Sequence, residues 1–177
     1  MKTSVALIGF MGVGKSAVGK ILAEKLGKTL VEMDAVIIKK TRKSIKQIFD
    51  EGEISFRELE IKAAKELAKG RNQVISCGGG VVLNKINIDR LKKDSIMVWL
   101  TATPGVILKR TRADKTSRPL LKSNSRVSEI RELLRYRKPF YERAADIKID
   151  TSKLDVDSVV NLILKKLSEY EDFNSQK

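Results

Sequence analysis

The sequence predicts an α/β fold: one domain built on a central parallel sheet of five short strands, with helices on both faces. Three observations predict it. Short apolar runs alternate with segments of helical period along the whole chain. The runs are apolar throughout, as in strands covered on both faces. And several of them stop at glycine or aspartate, where a strand end turns into a loop or a helix.

Each element has its own signal. Residues 4–9 (SVALIG) form a short apolar run before a glycine loop, the mark of a buried strand. Residues 15–26 place Val18, Ile21, Leu22 and Leu26 at helical spacing, and Gly27 stops them. Residues 29–33 read as a second strand, and 34–40 as a helix with Asp34 near its N-cap. Residues 44–49 and 56–68 continue helical, the latter ending at Gly70. A third strand at 74–77 is stopped by Gly78, Gly79 and Gly80, and a fourth occupies 96–100. Pro104 opens the next helix, since its missing N–H costs nothing in a first turn. Residues 113–125 are polar and basic, a loop. Residues 127–144 read as a helix broken or kinked at Pro139. Residues 147–150 are the fifth strand, 156–167 the last amphipathic helix, and 171–177 a tail expected to fray. One domain therefore spans 1–170, with no linker or repeat dividing it.

Composition narrows the chemistry. Histidine is absent, which excludes imidazole bases, Ser-His-Asp triads and most zinc sites. Proton transfer falls to Asp, Glu, Lys, Tyr or water, and any metal is expected to be a hard cation on oxygen ligands. The single cysteine, Cys77, excludes an intrachain disulfide and reads as core; Trp99, in the fourth strand, reads the same way. No apolar run approaches a membrane span. The apolar start is broken early by glycines with no cleavage signal after it, so no secretory leader is expected. A net charge of +14 suits nucleic acid, an anionic surface or an anionic small substrate, and equally a solvated surface with no partner.

The strongest motif is Gly9-Phe10-Met11-Gly12-Val13-Gly14-Lys15-Ser16, a full G-x-x-x-x-G-K-[ST] phosphate loop between a strand and a helix. Its glycines let backbone N–H groups turn toward phosphate oxygens, and the helix that follows adds its positive end. Lys15 would reach the β- and γ-phosphates and the Ser16 hydroxyl would ligate Mg²⁺. Gly12-x-Gly14-x-x-Ala17 also satisfies a permissive dinucleotide fingerprint, with Glu32 downstream, but that reading leaves Gly9, Lys15 and Ser16 unexplained. The N-K-x-D motif of switch GTPases is absent. A short chain with this loop fits a kinase of small molecules. Glu32 and Asp34, two apart at a strand end, would share one face beside the phosphates. Phe56-Arg57, Ser76-Cys77-Gly78-Gly79-Gly80, Arg118-Pro119-Leu120-Leu121 and Arg137-Lys138-Pro139-Phe140-Tyr141 follow in that order.

These motifs, in this order, resemble the shikimate kinase family over essentially the whole chain. The resemblance implies a three-layer P-loop kinase fold, with a substrate-binding helical region at about 34–60 and a lid at about 112–125. It implies Mg-ATP-dependent transfer of the γ-phosphoryl group to the 3-hydroxyl of shikimate, giving shikimate 3-phosphate and ADP on the route to chorismate and aromatic amino acids. It also implies a monomeric, cytoplasmic enzyme. Carried over by position, Gly12, Val13, Gly14, Lys15, Ser16 and Ala17 bind ATP. Asp34 binds the shikimate hydroxyls and serves or positions the base. Arg57 and Arg137 hold the carboxylate, and Gly79 and Gly80 form the substrate-contacting loop. Arg118 is the lid arginine over the phosphates, and Arg110 stacks on adenine. Asp34, Lys15 and Arg118 make the catalytic set; Ser16 and Glu32 are the metal candidates. The family often has Asp-x-Asp where this chain has Glu32-x-Asp34, so Glu32 could act on Mg²⁺ directly or through water. The chemistry agrees: guanidinium forks suit a carboxylate, and a hydroxyl nucleophile needs a carboxylate in reach.

Rival readings remain open at this point. A kinase of gluconate or of a nucleoside monophosphate would share the loop, although the Asp-Gly-Phe-Pro-Arg-like segment of adenylate kinases is missing. A nucleic-acid-binding ATPase would use the charge, but residues 109–126 carry no aromatic for stacking on bases. A binding module without turnover is a third.

Overall fold

The computed structural model describes residues 1–113, 127–170 and 173. Five strands form one parallel sheet: β1 (Ser4–Ile8), β2 (Thr29–Glu32), β3 (Gln73–Ser76), β4 (Ser95–Thr101) and β5 (Ile147–Asp150). Their spatial order is β2-β3-β1-β4-β5. In register, Leu7 stands beside Ser76 on one side and Val98 on the other, and Glu32 beside Ser76.

Every residue of β1 is buried, as its unbroken apolar run requires. Strand periodicity divides them between two cores. Val5 and Leu7 join Val18, Leu22, Ile107, Val159 and Ile163 on one face. Ala6 and Ile8 join Ile37, Phe56, Ala64, Leu91, Trp99 and Tyr141 on the other. Helices α1 (Lys15–Leu26), α6 (Pro104–Ala113) and α8 (Val156–Ser168) serve the first core; α2 (Met33–Thr41), α4 (Glu53–Leu67) and α5 (Lys85–Leu91) serve the second. Helix α3 (Ile45–Asp50) buries Ile48 in the second core, while α7 (Val127–Ala144) gives Ile130 to the first and Tyr141 to the second. Cys77 and Trp99 are core residues, as expected.

This order positions the site. The connection leaving β1 crosses to β2 at one edge, whereas the connection leaving β3 crosses to β4 on the opposite side of β1. The reversal opens a crevice beyond the carboxyl ends of β1 and β3, where ligands of such sheets bind. The phosphate loop and the triple glycine flank it.

The structure departs from the sequence reading in four places. Strand β2 ends at Glu32, and Met33 already begins α2. Glu32 and Asp34 therefore do not share a strand face. Glu32 occupies the N-cap position of α2 with no side-chain capping bond, and Asp34 sits in the first turn, where a carboxylate favours the helix dipole without capping it. Helix α5 and the 3₁₀ turn at Val81–Leu83 were not expected; α5 is short, and its Asn84 cap, which accepts from the Ile86 N–H at 3.0 Å, is its clearest signal. Helix α7 runs through Pro139 unbroken. Pro139 and Arg135 are both exposed, so the carbonyl left without its helical donor can be solvated. The expected lid lies outside the described residues apart from Arg112 and Ala113, which end α6. Of the tail, Phe173 is described: it is 9% exposed and bridges Lys2. No described helix is long and apolar enough to cross a membrane.

Candidate active site

The phosphate loop needs its glycines for two reasons. Gly9, Gly12 and Gly14 have φ of 146°, 78° and 100°, the left-handed side that other residues avoid. Space is also short: a Cβ on Gly12 would come within 2.9 Å of the Thr111 methyl on α6. Gly14 is the N-cap of α1, and no acidic residue stands in the first turn to offset the positive helix end. Lys15 curls over its own loop, its Nζ donating to the carbonyls of Gly9 at 2.8 Å and Phe10 at 3.0 Å.

A cavity of about 370 Å³ opens at this edge of the sheet. Gly12, Gly14, Lys15, Ser16, Ala17, Glu32, Asp34, Gly79 and Arg110 line it, all of them expected from the sequence. Met11, Ser76, Cys77 and Gly78 complete the wall. Val13 does not line it; its side chain is buried in the first core. Burial pushes the Cys77 thiol up to about 12, against the opposing pull of Lys15, so it is no nucleophile.

The Ser16 hydroxyl donates to Glu32 Oε2 at 3.1 Å, which puts the two expected metal candidates side by side. Both are hard oxygen donors beside the phosphate loop, which fits Mg²⁺ held mainly by phosphates and water. Among the described residues no three His, Cys, Asp or Glu side chains cluster as a metal cage.

Arg57 and Arg137 do not line the cavity wall but meet around the triple glycine behind it. Arg57, on α4, donates from Nη2 to Glu53 Oε1 at 2.8 Å and from Nη1 to Glu60 Oε2 at 3.0 Å. Its guanidinium lies against Gly80 so closely that any Cβ there would overlap it. Burial works against its charge, but Glu60 and Glu53 outweigh burial and hold its pKa above the ordinary value. Arg137, on α7, is 4% exposed. Its Nη1 reaches the Gly79 carbonyl at 3.5 Å, its guanidinium lies over the Phe10 ring at 5.5 Å, and its buried Nε has no hydrogen-bond partner among the described residues. A buried donor of that kind is costly unless an acceptor comes to it.

Arg110 is braced between strand ends. Its guanidinium donates to Thr151 Oγ1 and to the Thr151 carbonyl, both at 2.9 Å, and approaches the Gly12 and Val13 carbonyls at 3.5 Å. Arg118 lies outside the described residues.

Sequence reasoning missed three residues here. Glu60 is 1% exposed, pairs with Arg57, and carries a second oxygen, Oε1, buried with no hydrogen-bond partner among the described residues. Burial raises its pKa, with Arg57 pulling the other way. Tyr141 is 1% exposed and donates to the Gly79 carbonyl at 2.5 Å. Thr151, 2% exposed, links Arg110 to the Val13 carbonyl at 3.1 Å. The available signals were spacings: Glu60 stands three residues after Arg57, and Tyr141 four after Arg137, each pair on one helix face.

A family model described as shikimate kinase matches residues 11–168. A shikimate kinase of Thermodesulfovibrio yellowstonii is 43% identical over 175 residues, covering 98% of each chain. One of Caldicellulosiruptor saccharolyticus is 40% identical over 171 residues, covering 94% of this chain and 98% of the relative. Among solved structures, a shikimate kinase of Acinetobacter baumannii in complex with shikimate superposes with a TM-score of 0.90 at 34% identity, covering 97% of this chain and 96% of that one. A gluconokinase of Sinorhizobium meliloti superposes with a TM-score of 0.67 at 20% identity over 94% of this chain and 92% of that one, a likeness of fold alone.

Proposed function

The chain belongs to the shikimate kinase family, and from that premise we propose how its own residues carry the family reaction. It transfers the γ-phosphoryl group of ATP to the 3-hydroxyl of shikimate, giving shikimate 3-phosphate and ADP. We assign the nucleotide phosphates to the loop from Gly12 to Ala17, where backbone N–H groups and the start of α1 favour anions. Lys15 exchanges its two carbonyl partners for the β- and γ-phosphates. Arg110 flanks the nucleotide end of the cavity, and Arg118 keeps the phosphate role given to it by the resemblance.

Asp34 accepts the proton of the 3-hydroxyl as the oxygen–phosphorus bond to shikimate forms and the bond from the γ-phosphorus to the bridging oxygen of ADP breaks. Arg57, Arg137 and the Gly79–Gly80 peptide grip the shikimate carboxylate. Ser16 and Glu32 would hold Mg²⁺, which when bound offsets charge on the phosphates. We read the protein as a cytoplasmic monomer, as the family usually is.

One observation carries the choice of acceptor. Two arginines converge on one glycine peptide behind the cavity that holds Asp34, and one of them keeps a buried donor with no hydrogen-bond partner among the described residues. That arrangement suits a small carboxylic acid bearing hydroxyls better than a nucleotide.

The test is ADP release from ATP and Mg²⁺ with shikimate, gluconate or AMP as acceptor. Shikimate-dependent release is expected. Release with gluconate or AMP alone would keep the fold and discard the acceptor. Asp34→Asn is expected to bind ATP normally and lose about 10²- to 10⁴-fold in turnover, the range for general-base removal. Turnover close to the parent value would take Asp34 out of the mechanism.

A further inference from the structure

We propose that Tyr141 is a positioning residue for the acceptor carboxylate, acting through the Gly79–Gly80 peptide. The proposal rests on the shikimate reading above and adds a residue that does not line the cavity.

The Tyr141 hydroxyl donates to the Gly79 carbonyl at 2.5 Å, and Arg137 Nη1, one turn earlier on α7, reaches the same oxygen at 3.5 Å. A peptide unit is planar and trans, so the Gly79 carbonyl and the Gly80 N–H point in opposite directions. Fixing the oxygen fixes the N–H. The other side of Gly80 carries the Arg57 guanidinium. The peptide is thus held between α7 and α4, its oxygen bonded toward α7.

The turn around it is closed by the Val81 N–H on the Gly78 carbonyl at 3.2 Å, but the described side chain that bonds the peptide oxygen at short distance is Tyr141. Neither glycine has a side chain to pack, and a Gly-Gly peptide rotates more freely than any other. The tyrosine, by contrast, is packed on all sides. It is 1% exposed, and its ring stacks on Trp99 with centroids 5.5 Å apart and planes 12° apart. Trp99 is in turn covered by Lys148 Nζ, 4.6 Å from its ring centroid. The ring therefore carries the rigidity of β4 to the glycine loop. Burial raises the phenol pKa, so the hydroxyl remains a donor through neutral pH.

The experiment is Tyr141→Phe, which keeps the ring and removes one oxygen. Steady-state constants for shikimate and ATP are measured in the parent and the variant, with melting temperatures alongside. The KM for shikimate is expected to rise about fivefold, the size of one ordinary hydrogen bond, while kcat and the KM for ATP stay within about twofold. An unchanged KM for shikimate overturns the proposal. So does an equal rise in both KM values, the mark of a loosened fold; a lowered melting temperature with a selective shikimate effect supports it. Turnover of the parent that ignores shikimate would overturn the reaction reading itself, and is seen before the variant is compared.

Discussion

Gly80→Ala should disarm the acceptor site through a single methyl group. The backbone does not demand glycine there: φ is −101°, and none of Gly78, Gly79 and Gly80 lies in the left-handed region. The demand is spatial. A Cβ on Gly80 would overlap Nη1, Cζ and Nη2 of Arg57. Those atoms end a flexible side chain, so the guanidinium would move and the fold would survive. Arg57 would leave the place proposed for it at the acceptor and strain its bond to Glu60 Oε2. A charged hydrogen bond is worth about 1.5–3 kcal/mol, so kcat/KM for shikimate should fall about 10- to 150-fold. The KM for ATP should hold, because the phosphate loop is untouched. Gly79→Ala is the control for stability. Its Cβ would meet the Gly9 carbonyl and the Met11 N at 3.6 Å and Arg137 Nη1 at 3.8 Å, ordinary contacts, so the urea midpoint should shift by less than the equivalent of about 0.5 kcal/mol. Coupled ADP release at saturating ATP reads the first effect and urea unfolding the second. Parent-like kcat/KM for shikimate in Gly80→Ala would refute the placement of Arg57 at the acceptor.

Other outcomes follow from the same geometry. Glu60 has a raised native pKa, so its contribution to stability is full below the unfolded carboxylate pKa and is lost as pH rises through the native value. Glu60→Gln should flatten the fall in urea midpoint from about pH 4 upward; parallel profiles would mean that Glu60 does not titrate differently on folding. Ser44 caps α3 reciprocally with Gln47, at 3.2 Å and 2.8 Å, so Ser44→Ala should cost about 1 kcal/mol in urea unfolding. Glu32→Gln should raise the Mg²⁺ concentration needed for tight ATP binding by calorimetry while leaving metal-free ATP binding unchanged; equal loss in both would mark damage to the loop.

Much of the fold was legible because its signals are local. The strand β1 is apolar at every position, Gly27 stops α1 in a left-handed turn at φ 60°, and residues 127–144 have one helical period from end to end. The phosphate loop was legible for the same reason, since its glycines and its lysine do their work within eight consecutive residues. The boundary at Met33 was not. Its apolar side chain suits a strand and a helix equally, and its full burial in the second core fits either. Helix α5 escaped because seven residues give barely two turns of pattern. Pro139 does not break its helix: it removes one helical hydrogen bond, and the Arg135 carbonyl it frees lies on an exposed face.

The site divides along the same line. The residues to which the resemblance gives a role stand in motifs; the residues that brace them were given no role, even where, as with Tyr141, they stand in a quoted motif. Glu60 and Tyr141 look in sequence like one more charge and one more ring on helices full of both. What sets them apart is burial beside the Gly78–Gly80 loop, which arises only when α4 and α7 pack around the loop that follows β3. Spacing alone could have raised the question, because i, i+3 and i, i+4 partners of Arg57 and Arg137 share their helix faces. It could not have answered it, because the neighbouring Glu53 is also placed to pair with Arg57 and lies half-exposed. A carboxylate 1% exposed that keeps one oxygen without a hydrogen-bond partner among the described residues is a different object from one in water. The first is costly to bury and leans on Arg57 to offset that cost; the second contributes little. On the proposed placement of the acceptor, its grip depends on how α4 and α7 pack around the glycine loop as much as on the two arginines, and changes at Glu60 or Tyr141 should read out in shikimate affinity before they read out in turnover.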